Sequence, residues 1–208
     1  MICFPHLRNL FSRLARSGWR NDHAAQLVEF AVALPLLVLF VVGIFDFSSA
    51  FTLKQKLTNV ARDAARAAAA DPANDLQSPA TTPASVLDAF QDIDNYLVAN
   101  KINDCGISAS SPTAARLTWT YTATTGCPPG GLTIIVNRGY YFPSTSATLP
   151  SVGCTPQNPG GAGTAVVGTC VSIQYGYAWR FGRIASLVGA SSTLPNAISV
   201  VAVAMNEN

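Results

Sequence analysis

Histidine is almost missing from this 208-residue chain: the only two, His6 and His23, both precede its longest apolar run. The remainder therefore has no imidazole for Ser-His-Asp or Cys-His catalysis and none for a His-based metal site. Glutamate is equally scarce, with Glu29 and Glu207 alone, so nothing pairs two glutamates for acid–base work. Charged residues make up 12% of the chain, against roughly 25% in ordinary soluble domains. Basic clusters are lacking where they would matter for nucleic acid. Residues 1–70 carry eight Lys/Arg against four Asp/Glu, and residues 71–208 carry five against seven. A body with that balance has no surface to neutralise phosphates, so no nucleic acid is expected. No cofactor, metal site or enzymatic activity is expected either.

What is abundant is apolar length. From Phe30 to Phe45 no side chain is charged, and between Ala24 and Leu53 only Glu29 and Asp46 are. A helix crossing a bilayer core needs about 20 mostly apolar residues, and Leu27 to Phe51 supplies them if the two carboxylates are tolerated. A buried soluble helix seldom stays apolar on every face. The run thus reads as a membrane segment, kinked at Pro35, whose missing N–H removes one backbone hydrogen bond without ending the helix. An acidic residue near the start of such a run usually has a partner, which singles out Glu29.

Past Phe51 the helical pattern continues. Leu53, Leu57, Val60, Ala64 and Ala68 recur at helical spacing, while Lys54, Thr58, Arg62 and Arg66 fall elsewhere. That stripe predicts a face packed on the protein's own domain. Asp71-Pro72 ends the helix, because the residue before proline is pushed out of the helical region.

The residues around the start of the run carry a further signal. Ala24-Ala25-Gln26-Leu27-Val28-Glu29-Phe30, continued by Ala-Val-Ala-Leu-Pro-Leu-Leu, resembles a prepilin-like processing site, with a small residue before the cut, Glu fifth after it and an aromatic sixth. With Gly43-Ile44-Phe45-Asp46-Phe47 and Leu57-Thr58-Asn59-Val60-Ala61-Arg62-Asp63-Ala64-Ala65-Arg66, the stretch resembles the TadE-like family of tight-adherence (Tad) pilus assembly over about residues 24 to 68. Ala24 stands where that family usually has Gly.

The resemblance implies a minor pilin (pseudopilin) of a Tad-type type IV pilus. Cleavage between Ala24 and Ala25 by a prepilin peptidase, and assembly through Glu29 and Phe30, come with it. So do partners among the other Tad subunits, major and minor, and the inner-membrane assembly platform, with membrane lipid around the helix. The protein would sit in the inner membrane as a single-pass chain with its head outside the cytoplasm, or enter an extracellular pilus. The organisation expected is a basic leader at 1–24, a transmembrane and extended helix at 25–70, a linker at 71–84 and an exported head at 85–208. A competing reading is a secreted or periplasmic binding module. In it an ordinary signal peptide ends in Ser48-Ser49-Ala50 and is cut before Phe51.

The five cysteines divide as Cys3 in the leader and Cys105, Cys127, Cys154 and Cys170 after the membrane run. Four in a small, loop-rich exported body suggest disulfides, with three pairings open; no close Cys-x-x-Cys spacing favours zinc. Ser85-Val86-Leu87-Asp88 reads as a capping box opening a helix to about Asn100, with Val86, Phe90, Ile93 and Leu97 as its apolar face. Asp88, Asp92 and Asp94 fall mainly off that face and read as solvated charge.

After Lys101 the texture turns to strands. They are expected at Arg116 to Thr122, Leu132 to Phe142, Cys170 to Phe181 and Ala197 to Ala204. The turn Cys127-Pro128-Pro129-Gly130-Gly131 joins the first two. Pro143 to Thr169 is a long loop, including Pro159-Gly160-Gly161-Ala162-Gly163, that matches no phosphate-cradling motif. A loop of that length needs fastening, which Cys154 and Cys170 are placed to supply. The fold class expected is α+β: a long N-terminal helix followed by a small antiparallel-sheet head, pilin-like.

Overall fold

The computed structural model describes residues 22–77, 81–142, 153–154, 166–182 and 194–207. The basic leader up to residue 21 and the loop glycines at 160, 161 and 163 lie outside the described residues. Helix α1, Asp22–Ala70, is continuous through Pro35. Helix α2 spans Ala84–Ala99, and five strands follow: β1 Thr113–Ala115, β2 Thr118–Ala123, β3 Leu132–Phe142, β4 Val166–Gly176 and β5 Ala197–Met205. They form one sheet in sequence order, antiparallel throughout. The fold is α+β, a long apolar helix followed by an antiparallel head. The chain divides into two compact units, Met1–Asp46 with Arg180–Ser191, and Phe47–Trp179 with Ser192–Asn208.

Period-two alternation sends one face of the sheet against the helices. Trp119 and Tyr121 of β2, Ile134 and Val136 of β3, Val171 and Ile173 of β4, and Val200 and Ala202 of β5 are all buried in one core. The second half of α1 supplies Leu57, Val60, Ala61, Ala64, Ala65 and Ala68 to that core. Four of these six positions are alanine, so the larger sheet residues fill the space between helix and sheet. From α2 come Val86, Ala89, Phe90, Ile93 and Leu97, with Phe90 stacked on Tyr121 at 4.1 Å between ring centroids. Burial pushes the Tyr121 phenol up to about 12, since ionising it there would strand a charge away from water.

Several local expectations are corrected. Ser85 does not cap α2: the helix begins at Ala84 with Pro83 at its N-cap position and no side-chain cap bond. The carbonyl of Pro83 accepts from the N–H groups of Val86 and Leu87, and Ser85 is fully buried. Proline is already held near the φ that the cap position adopts here, −58°. The strand expected at Cys170 begins four residues earlier, at Val166, and stops at Gly176. Trp179 and Phe181 therefore lie beyond it. Arg116 is in a turn at φ 55°, so β2 starts at Thr118, and β1, short and fully exposed, gave no alternation to read.

Strand β3 contains the irregularity that shapes one end of the head. Asn137 pairs with Cys170 but Tyr140 with Gly168, one extra residue on β3, which is a β-bulge. Ahead of it, even-numbered β3 residues face the helices. Beyond it Tyr140 joins Cys154 and Cys170 in a second small cluster, with Ile135, Val201 and Val203 packed on it. Asn137 stabilises the bulge from both ends of its amide: its Oδ1 accepts from Gly139 N–H and its Nδ2 donates to the Cys154 carbonyl, each at 2.9 Å. A Cβ at Gly139 would lie 2.6 Å from Leu117 Cδ1, so any larger residue there obliges Leu117 to shift.

At the same bulge Arg138 points toward α1 and is 1% exposed. One guanidinium nitrogen donates to the Ala68 carbonyl and to Thr169 Oγ1, and the other donates to the Asp71 carbonyl at 2.9 Å. Thr169 Oγ1 in turn donates to Asn206 Oδ1 at 2.7 Å. The N–H of Glu207 reaches the Ala69 carbonyl at 3.4 Å. The last carbonyls of a helix have no partner within it and carry the negative end of its dipole. A buried cation from the sheet, followed by the chain's C-terminal segment, satisfies them here.

The disulfides are Cys105–Cys127 and Cys154–Cys170. The first ties the loop after α2 to the β2–β3 turn; the second ties the β3–β4 connection to the strand it leads into. Each closes a loop worth roughly 3 kcal/mol in the chain-entropy model.

Two outcomes follow. Replacing Arg138 by Met should leave the carbonyls of Ala68 and Asp71 without their donor and cost about 3 kcal/mol or more. That lowers the Tm by roughly 6 to 12 °C, read by circular dichroism of the detergent-solubilised protein; an unchanged Tm would remove Arg138 from this role. Thiol counting on denatured, unreduced protein should find none of Cys105, Cys127, Cys154 and Cys170 reactive, and labelling at any of them would contradict the pairing.

Candidate assembly and membrane-spanning helix

The first half of α1 presents a surface unlike the second. Leu27 is 70% exposed and Phe30 63%, and Val28, Val32, Leu36, Leu37 and Phe40 are likewise exposed. Among the described residues this is the one helix long and apolar enough to cross a membrane, with a mean hydropathy of 2.7 in its most apolar window. Residues 25 to 45 extend about 31 Å at 1.5 Å per residue, close to the roughly 30 Å of a hydrocarbon core. The helix satisfies its own backbone groups, which is what lipid demands of a spanning segment. Pro35 lies inside it, and, lacking an N–H, leaves the Ala31 carbonyl without its usual donor.

Ala24 and Ala25 fall in the first turn of α1, which begins at Asp22. Glu29 is exposed one turn further on, beside exposed Val28 and Phe30. Ala25 and Glu29 are thus one helical turn apart along α1.

Asp46, the other carboxylate of the run, has a different fate. It is 5% exposed, and its Oδ2 accepts the Phe181 N–H at 2.9 Å. Gly43, three residues earlier on the same face, is buried, and a Cβ there would meet the Phe181 ring at 3.3 Å. In the sequence Asp46 reads as a tolerated charge and as part of the TadE-like word, with no partner assigned. The available signal was the i, i+3 spacing of a glycine and an acid, two residues that an apolar span has no use for unless another segment packs on them.

The acidic residues of α2 form no site. Asp88 and Asp92 are exposed and Asp94 is half-buried. Partial desolvation, then the charges of Asp88 and Asp63, raise the Asp92 carboxyl; desolvation, then Asp104, raises Asp94. Such mutual repulsion is what solvated like charges on a surface produce. Among the described residues no group of three His, Cys, Asp or Glu is placed to hold a metal ion.

No curated protein and no solved structure matches the chain. The model of the family described as TadE-like protein matches residues 24–66, the segment that holds Ala25, Glu29, Pro35, Asp46 and most of the stripe that α1 buries in the head. Over that segment the chain is similar to that family.

Proposed function

We propose that this protein is a minor pilin (pseudopilin) of a Tad-type pilus, held in the inner membrane by the first half of α1 and assembling through it. The observation that carries the reading is the exposed apolar half of α1 with Glu29 near its start, within the TadE-like segment. Residues 1–24 are its leader, 25–70 its spanning and extended helix, 71–84 a connection and 85–208 its exported head, on which the distal part of α1 packs.

Prepilin peptidase cuts between Ala24 and Ala25, creating an α-amino group one helical turn from Glu29. In an apolar bundle an unpaired carboxylate is costly, and the amine of a neighbouring subunit is its natural partner. Other Tad subunits and the assembly platform are the partners, and assembly rather than catalysis is the activity. The alternative cut before Phe51 is disfavoured, since Ala50 is buried in the core of the head and Phe51 lies in the middle of α1. A protease would have to unwind packed helix there, whereas Ala24 and Ala25 sit in a first turn, where few backbone bonds hold the chain.

Intact mass or N-terminal sequencing of the native protein should find Ala25 first. Phe51 first would overturn the pilin reading, and Met1 first would overturn the processing alone. Glu29→Gln should leave the protein made and inserted but impair its co-purification with other pilus subunits; unaltered pilus assembly would remove that role from Glu29.

A further inference from the structure

On the turns of α1 that follow Asp46, apolar side chains remain uncovered although the head has begun. Phe47 is 52% exposed and Phe51 63%. The Phe47 ring lies 5.2 Å from Trp179, centroid to centroid, and Trp179 meets Tyr177 edge-on at 4.9 Å. The indole N–H of Trp179 donates to the Pro195 carbonyl at 2.5 Å, which fixes the ring and satisfies its polar atom within the protein. With Lys54 and Ile198, the rings of Phe47, Phe51 and Trp179 line an open concavity of about 260 Å³.

Tryptophan, here with Tyr177 against it, and lysine are residues that favour a membrane–water boundary, where rings rest at headgroup depth and an ammonium meets phosphate; the two phenylalanines add apolar surface that lipid can cover. Position agrees with composition. Phe47 and Phe51 follow Phe45 on one continuous helix by about 3 and 9 Å of rise. The polar layer of a bilayer is roughly 5 to 8 Å thick on each side; Phe47 falls within it, and Phe51, at its outer edge, leans back toward it because helical side chains tilt toward the N-terminus. A second copy is the less suitable occupant. A stable interface buries about 800 Å² on each partner and depletes lysine at its centre, whereas this patch is one small concavity with exposed Lys54 on its lining.

We propose that this patch is a lipid-docking surface. In the membrane-resident state Phe47, Phe51 and Trp179 rest at the boundary of headgroups and acyl chains, and Lys54 pairs with lipid phosphate, so that this part of the head lies on the bilayer. The inference rests on the reading of α1 as a spanning helix.

The test uses the full chain carrying Trp19→Phe, reconstituted in vesicles of phosphatidylethanolamine and phosphatidylglycerol. A portion of the lipid is brominated high on the acyl chain. Emission should fall on adding the brominated lipid, and that loss should vanish in Trp179→Phe, because Trp119 is buried in the core. Aqueous iodide should quench Trp179 little. Phe51→Trp, in a chain also carrying Trp179→Phe, reports the same depth should the first variant misfold. Phe40→Trp, with lipid brominated deep in the chain, reports the span itself. Quenching at Phe40→Trp without quenching at Trp179 or Phe51→Trp overturns the docking and leaves the span standing; quenching at none of them overturns both. Protection of Trp179 from iodide that needs a high protein-to-lipid ratio and no bromine contact would assign the patch to a second copy and overturn the proposal.

Discussion

The head is organised on the contact between Arg138 and the C-terminal end of α1. A helix this long ends in a set of carbonyls that nothing within it can satisfy, and here the end is buried against the sheet. Arg138 closes it by donating to the carbonyls of Ala68 and Asp71, while Thr169 and Asn206 hold the guanidinium in place. Burying that cation away from water is expensive unless its donors are matched. Each neighbour therefore supplies an oxygen: two backbone carbonyls, one hydroxyl and one amide.

That contact explains the bulge next to it. β3 must present Arg138 to the helices and, two residues later, turn Tyr140 to the opposite face to cover the Cys154–Cys170 bond. A regular strand would keep both on one side; one extra residue between Asn137 and Tyr140 separates them. Asn137 and Gly139 are the residues that make this local geometry possible, the first by bonding the loop and the second by leaving room for Leu117. The long β3–β4 connection is fastened at Cys154 both by its disulfide and by Asn137.

Helix α1 meets two surroundings along one continuous backbone. Its second half is small and alanine-rich because it packs on a sheet; its first half carries large apolar side chains that are exposed among the described residues. Asp46 and Gly43 lie between these regimes and are covered by Phe181. A carboxylate is acceptable within an apolar stretch when a backbone N–H meets it. Beyond that point the helix carries the uncovered rings of Phe47 and Phe51, which suit a boundary better than either lipid or core.

Sequence alone determined the elements whose signal is local. The charge-free run, the stripe Leu57–Val60–Ala64–Ala68, the stop at Asp71-Pro72 and the alternation of β3 and β5 each arise from spacing within one segment, and the TadE-like pattern is likewise a contiguous word. Tertiary structure decided what depends on residues far apart in the chain. It chose one of three cysteine pairings, moved β4 back to Val166 by pairing it with β3 beyond the bulge, and made Pro83 rather than Ser85 the N-cap of α2. Above all it gave Arg138 its task. In the sequence that residue is one arginine in a strand, and its partners lie about 70 positions away at Ala68 and Asp71 and at Asn206. A buried charge is specified by where its acceptors converge, and no period or motif in a linear chain records that convergence.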